Sequence, residues 1–268
     1  MLLFVAAPLA AWGPRTQVAV ASAAAKLAPP ELAREIERRS VRFQEGVLAP
    51  FDEAHPERHY RNVDRGILDR TLADEVSAAI AALRKPAPFD EFVYRLGRVA
   101  HFVTDANNPL NAAADDPAED RYFGDWLRYG ESARPRFAPV YYTREPAIGT
   151  DRDLRQLVLR ALARGRGFYP RVGDEYRRIG YGSGPRAFDD RSTAFGVAAV
   201  SYSHAISDVA RVLRYIWIQV GGPVSRPQPP AITASATTGA TTSATTSATT
   251  SFGVSSRLLL LPPHSAGP

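Results

Sequence analysis

Phe89 to Ala106 reads FDEFVYRLGRVAHFVTDA. Apolar residues recur three and four apart along it, and Asn107-Asn108-Pro109 follows, so the stretch predicts one long apolar helix ending at that turn. The same spacing precedes it in GILDRTLADEVSAAIAALRK, 66–85, until Pro86 stops it. Pro29-Pro30 opens a helical stretch over ELAREIERR, DRDLRQLVLRALARG (151–165) reads as a helix closed by Gly165, and the longest helix is expected from about Asp190 to Val220. Small residues early in that last helix (Ala194, Gly196, Ala198, Ala199) predict close packing by neighbours. No run of alternating residues bounded by turns predicts a sheet. The expected fold is all-α, a compact multi-helix domain over 12–220.

The flanks differ in composition. Residues 1–11, MLLFVAAPLAA, are apolar, but a bilayer-spanning helix needs about 20 such residues. An apolar core followed by small residues reads as the remnant of a signal peptide, although the basic start is missing. From Gly221 the chain turns to Ala, Thr, Ser and Pro, including ASATTGATTSATTSATTS. Such residues bury too little apolar surface to offset the entropy of ordering, so 221–268 is expected to be a disordered tail without a stable membrane anchor. A secreted or periplasmic location follows as the expectation.

The chain has no cysteine, which removes disulfides, thiolate nucleophiles and sulfur metal sites; any metal must be held by nitrogen and oxygen. Its net charge is +5, and the two arginines of the tail, Arg226 and Arg257, account for two of these charges. A body at +3 does not demand nucleic acid. All basic residues but Lys26 and Lys85 are arginine, a side chain suited to bidentate phosphate contacts. No nucleophile-base-acid triad, nucleotide fingerprint or phosphate-cradling loop is visible; GYGSG at 180–184 precedes no helix of the required kind.

Two histidines share a context, His101-Phe-Val-Thr-Asp105 and His204-Ala-Ile-Ser-Asp208. Residues four apart on a helix face the same way about 6 Å apart, so each pair can present an imidazole and a carboxylate to one ion. A pair of structural His-Asp hydrogen bonds is the other reading of each. His59 lies in PERHYRNVD, with Asp52 seven residues earlier in LAPFDEAHP.

In chain order, Trp12-Gly13, His59-Tyr60, LGRVAHFVTDANNPLN (96–111) and His204-x-x-x-Asp208 resemble the zinc-dependent phospholipase C family and the single-strand-specific zinc nucleases of the same fold. The resemblance spans about 12–217 and is most specific in its central motif. It implies a mature N-terminus at Trp12, whose amine and carbonyl chelate one zinc, and metal ligation by Asp52, His59, His101, Asp105, His204 and Asp208. Two positions depart from the pattern: Gln17 and Asn111 stand where the family has histidines, each a poorer zinc ligand. One to three Zn2+ ions are therefore expected, one site strong and the others weakened, unless Asn111, Asp115, Asp116 or Glu119 completes the second.

The resemblance implies a phosphodiester hydrolase acting on phospholipid or single-stranded nucleic acid, in which bound ions activate a water for in-line attack on phosphorus. His101 and Asp105 would be at its catalytic centre, and Arg61 and Arg98 are candidates to clamp phosphate. The alternative is a non-catalytic helical scaffold with one structural zinc or none, binding a phosphate-bearing ligand or a protein partner.

Overall fold

The computed structural model describes residues 12–84, 89–112, 116–142, 145–181 and 188–223. These residues form eight α-helices and five short 3-10 turns, with no strand among them. The segment 1–11 lies outside the described residues, as does the expected tail beyond 223.

The helices are α1 (Pro14–Ala25), α2 (Pro30–Arg38), α3 (Ser40–Leu48), α4 (Leu68–Arg84), α5 (Phe89–Ala106), α6 (Phe123–Ala133), α7 (Asp151–Arg178) and α8 (Thr193–Gln219). Helix α5 has the bounds its periodicity predicts and forms the centre, packed against α1, α3, α4, α7 and α8. Every residue from Leu96 to Ala106 is buried. A helix enclosed on all sides must find internal partners for its polar groups, because an unpaired buried charge is expensive. That requirement governs Arg98, His101 and Asp105.

Two glycines set the distance between α3 and α5. A Cβ on Gly46 would lie 2.0 Å from the Tyr94 carbonyl oxygen, and one on Gly97 would lie 2.1 Å from that of Phe43. Only glycine on both helices lets the backbones touch in this way. The C-terminal turn of α3, whose carbonyls have no partner within the helix, is thereby brought against the face of α5 that carries His101.

Helix α7 corrects one expectation. It starts on a capping box at Thr150, whose side chain accepts from the Asp153 N–H, but it does not close at Gly165; it continues through Pro170 to Arg178. Gly165 serves close packing instead, since a Cβ there would come within 2.7 Å of the Ala112 Cβ. The helix ends where Gly180 and Tyr181 take positive φ (73° and 63°). In α8, Ala194 and Ala198 are buried, but Gly196 is exposed and nothing lies within 4 Å of a Cβ built there, so it is not a packing glycine. No helix among the described residues is long and apolar enough to cross a membrane.

Candidate metal centre

The close approach of α3 decides how His101 is oriented. Its Nδ1 lies 2.8 Å from the Val47 carbonyl oxygen, which can only accept, so Nδ1 carries the hydrogen and donates it. With the ring neutral, its other nitrogen then presents a lone pair. That Nε2 lies 3.1 Å from Asp105 Oδ2 and 3.2 Å from His59 Nδ1. His59 Nδ1 is in turn 2.7 Å from the same Asp105 oxygen. His59, His101 and Asp105 are all 0% exposed.

Proton accounting shows what this triangle lacks. His101 Nε2, His59 Nδ1 and Asp105 Oδ2 face one another, and with both rings neutral at most one hydrogen, on His59 Nδ1, is available to separate the three atoms. His59 Nε2 is also buried without a partner among the described residues, so either tautomer leaves at least one nitrogen of that ring unpaired. Backbone carbonyls that fix the far nitrogen of a histidine are the usual outer support of a metal ligand. The triangle's edges, 2.7 to 3.2 Å, approach the roughly 3.3 Å between ligand atoms of a tetrahedral ion with bonds of about 2.0 Å. Two imidazoles and a carboxylate without sulfur suit zinc among the common divalent ions.

The rest of the carboxylate is engaged. Gln17, on α1, donates its amide Nε2–H to Asp105 Oδ1 at 2.7 Å; the carboxylate can only accept, which assigns the nitrogen to this side. Gln17 Oε1 is left buried without a partner among the described residues. Asn111 reaches the main chain instead, its Nδ2 3.3 Å from the Asp105 carbonyl oxygen. Burial pushes the Asp105 carboxyl up, but His101 and His59 beside it outweigh that effect and hold it below the ordinary carboxylate range.

A buried ion network braces both histidines. Arg98, one turn before His101, donates through Nε and Nη2 to Glu75 of α4 and through Nη1 to Glu53. Arg58, next to His59, donates to Glu75 Oε1 at 2.7 Å and also pairs with Glu53. Glu75 is 4% exposed; burial raises its carboxyl, yet the two arginines bring it below its usual range. Arg98 is thus spent inside the protein and is no phosphate clamp. Arg61 donates to the Gly66 carbonyl at 2.9 Å and lies 3.7 Å from Asp69.

Of the residues singled out in the sequence, the structure gathers His59, His101 and Asp105, whose ligand atoms lie within 4.8 Å of one another. This is the one such group of three among the described residues, and Asp52, His204 and Asp208 are not members. Asp52 is exposed at the end of the 3-10 turn Ala49–Asp52. Trp12 is 0% exposed and packs on Trp126 with ring centroids 6.3 Å apart. Asp116 accepts from Tyr122 and Glu119 from Tyr169, while Asp115 lies outside the described residues.

His204 and Asp208 occupy a second place, on α8. Asp208 is 1% exposed, and Arg164 Nη2 donates to its Oδ2 at 2.7 Å while Arg211 Nη1 donates to its Oδ1 at 3.1 Å. Burial raises the Asp208 carboxyl, partly offset by these two arginines. His204 stacks on Tyr142 with centroids 4.0 Å apart, and its Nδ1 is buried without a partner among the described residues. Burial, then the charge of Arg164, push its imidazole down to about 4, so the ring is neutral at neutral pH. Arg211 is an i,i+3 partner of Asp208 on the same helix and so is legible in the sequence, whereas Arg164 carries no such signal, since it comes from α7, 44 residues away.

The architecture and site therefore define an all-α protein with a buried, metal-competent His-His-Asp centre. No protein-family model matches the chain, and no curated protein matches it at a significant level.

Proposed function

We propose that this protein holds one divalent metal ion, zinc by its donor set, between His59, His101 and Asp105, and that the ion ties the core together rather than serving catalysis. The observation that carries this reading is the Val47 carbonyl, which fixes His101 so that its lone pair points at two further ligand atoms in a fully buried triangle. An ion there links α5 to the turn carrying His59, and through Gln17 to α1. Burial of all three donors argues for a structural ion, because catalysis needs a place open to water and substrate. Gln17 supports the same reading: it occupies the carboxylate oxygen that a second ion sharing Asp105 would need.

The second reading is the phosphodiester hydrolase that the resemblance implies, and His204 favours it. A half-buried neutral imidazole, one turn from Asp208 and with a nitrogen that has no partner among the described residues, is a group with unused capacity. Under either reading export with cleavage before Trp12 fits the apolar stretch at 1–11, and N-terminal sequencing of protein from its native host checks it.

The test is metal analysis of the purified full chain at saturating zinc, with thermal unfolding before and after chelation. One zinc per chain is expected, with a lower unfolding temperature after chelation, and none in His101→Ala. A folded protein that takes up no metal sinks the proposal. In parallel, a chromogenic phosphodiester, phospholipid vesicles and single-stranded DNA should remain unhydrolysed; zinc-dependent turnover that vanishes in His101→Ala would select the hydrolase.

A further inference from the structure

Asp208 and its surroundings have the composition of a ligand nest, but an arginine is seated in it. Arg164 Nη2 lies 2.7 Å from Asp208 Oδ2 and 3.0 Å from Asn107 Oδ1. His204 is one turn from Asp208 on α8 and close enough to feel the Arg164 charge. A carboxylate, an amide oxygen and an imidazole are donors that a divalent cation accepts. Among the described residues Arg164 makes only these two side-chain hydrogen bonds, and its Nε is buried without a partner. Arg211 is differently placed, since it also donates to Glu145 and to the Pro146 carbonyl.

We propose that the Arg164 guanidinium, between Asp208 Oδ2 and Asn107 Oδ1, is a built-in cation that occupies a second metal position and keeps it free of metal.

Charge arithmetic supports this. Asp208 and Glu145 balance Arg164 and Arg211, so the locus is neutral as it stands. A divalent ion added beside Arg164 would leave two uncompensated positive charges in a largely buried place, which is costly. With Arg164 removed, the same residues sum to one negative charge, and Asp208 Oδ2 and Asn107 Oδ1 lose their shared cation one turn from the His204 ring. The inference deepens the one-ion centre proposed above by explaining why the count stops at one.

The experiment compares the wild type with Arg164→Ala, Arg164→Gln and Arg164→Lys at saturating zinc. Metal content should rise from one to two ions per chain in the alanine and glutamine variants and stay at one in the lysine variant, which retains the charge. Histidine ring 15N spectra locate each ion: zinc should move the His59 and His101 signals in the wild type, and the His204 signals only in the neutral variants. If Arg164→Ala does not fold because Asp208 loses a partner, Arg164→Gln still fills the space with hydrogen-bonding groups. The wild-type spectrum needs no variant, and a His204 shift on adding zinc to it overturns the inference. So do folded neutral variants in which His204 stays silent. A wild type with no ion at all, but neutral variants that show the His204 shift, defeats the one-ion centre and leaves this inference standing.

Discussion

Gln17 donates its side-chain N–H to Asp105 Oδ1 over 2.7 Å, and both residues are wholly buried. The contact joins α1 to α5 and settles the division of labour on this carboxylate, one oxygen facing an amide and the other facing two imidazoles. A histidine at position 17 would offer a lone pair to a metal; glutamine offers a hydrogen to the carboxylate.

Gln17→Ala leaves Asp105 Oδ1 unpaired inside the core. The expected loss is about 1–3 kcal/mol, the usual cost of a stranded buried acceptor, with the higher end favoured because the acceptor is charged. Urea unfolding checks it. Metal content should persist, since the three ligand atoms are untouched.

Gly97→Ala adds a methyl group where the Phe43 carbonyl oxygen already lies 2.1 Å from the Cβ position. Because backbone rather than a flexible side chain is in the way, α3 must move, at a cost of about 1–3 kcal/mol or more. The movement draws Val47 away from His101, so zinc affinity should fall together with stability. Competition titration with a chromogenic chelator reads that coupling, and an unchanged affinity would show that the Val47 contact does not matter to the site.

Glu75→Gln removes the charge that Arg58 and Arg98 share. Breaking a buried network from one side typically costs about 3–5 kcal/mol, because the charges left behind have lost their compensation. Replacing exposed Glu45, whose partner Arg42 is also at the surface, should cost less than about 1 kcal/mol. Equal effects in chemical denaturation would refute the claim that the network braces the site.

In the pH dependence of stability His204 and Asp105 act with one sign, and Asp208, whose carboxyl burial raises in the folded state, opposes them just above the ordinary carboxylate range. His204 has a folded pKa of about 4, below its ordinary 6.5, so the unfolded chain binds more protons between those values and stability falls as the pH drops from 6.5 to 4. Asp105 is depressed in the folded state, so its contribution is present above the ordinary carboxylate range and is lost as the pH falls below about 4. In His204→Asn the fall between pH 6.5 and 4 should flatten while the more acidic loss stays, as measured by urea midpoints across that range.

The bounds of α5 were fully legible in its periodicity, and so was the pairing of His101 with Asp105, because a four-residue separation on a helix is a local fact. Helices α4 and α8 were nearly as plain. Helices α1, α3 and α6 were not read from sequence: α1 and α3 are only 12 and 9 residues long, and α1 is rich in alanine and lacks a sharp apolar stripe. Gly165 looked like a helix end, since the same residue serves both chain termination and close packing, and only the neighbour at Ala112 distinguishes the two.

Sequence by itself determined the all-α class, the exclusion of sulfur chemistry and the local geometry of each His-Asp pair, all properties of neighbours along the chain. Tertiary structure alone decided which pair becomes a metal-competent centre. His59 arrives at one pair from 42 residues away, whereas Arg164 arrives at the other from α7. Two like motifs acquire opposite characters because a buried carboxylate must be compensated by whatever cation or donor the packed helices bring to it, and that partner is set by contacts between segments distant in sequence.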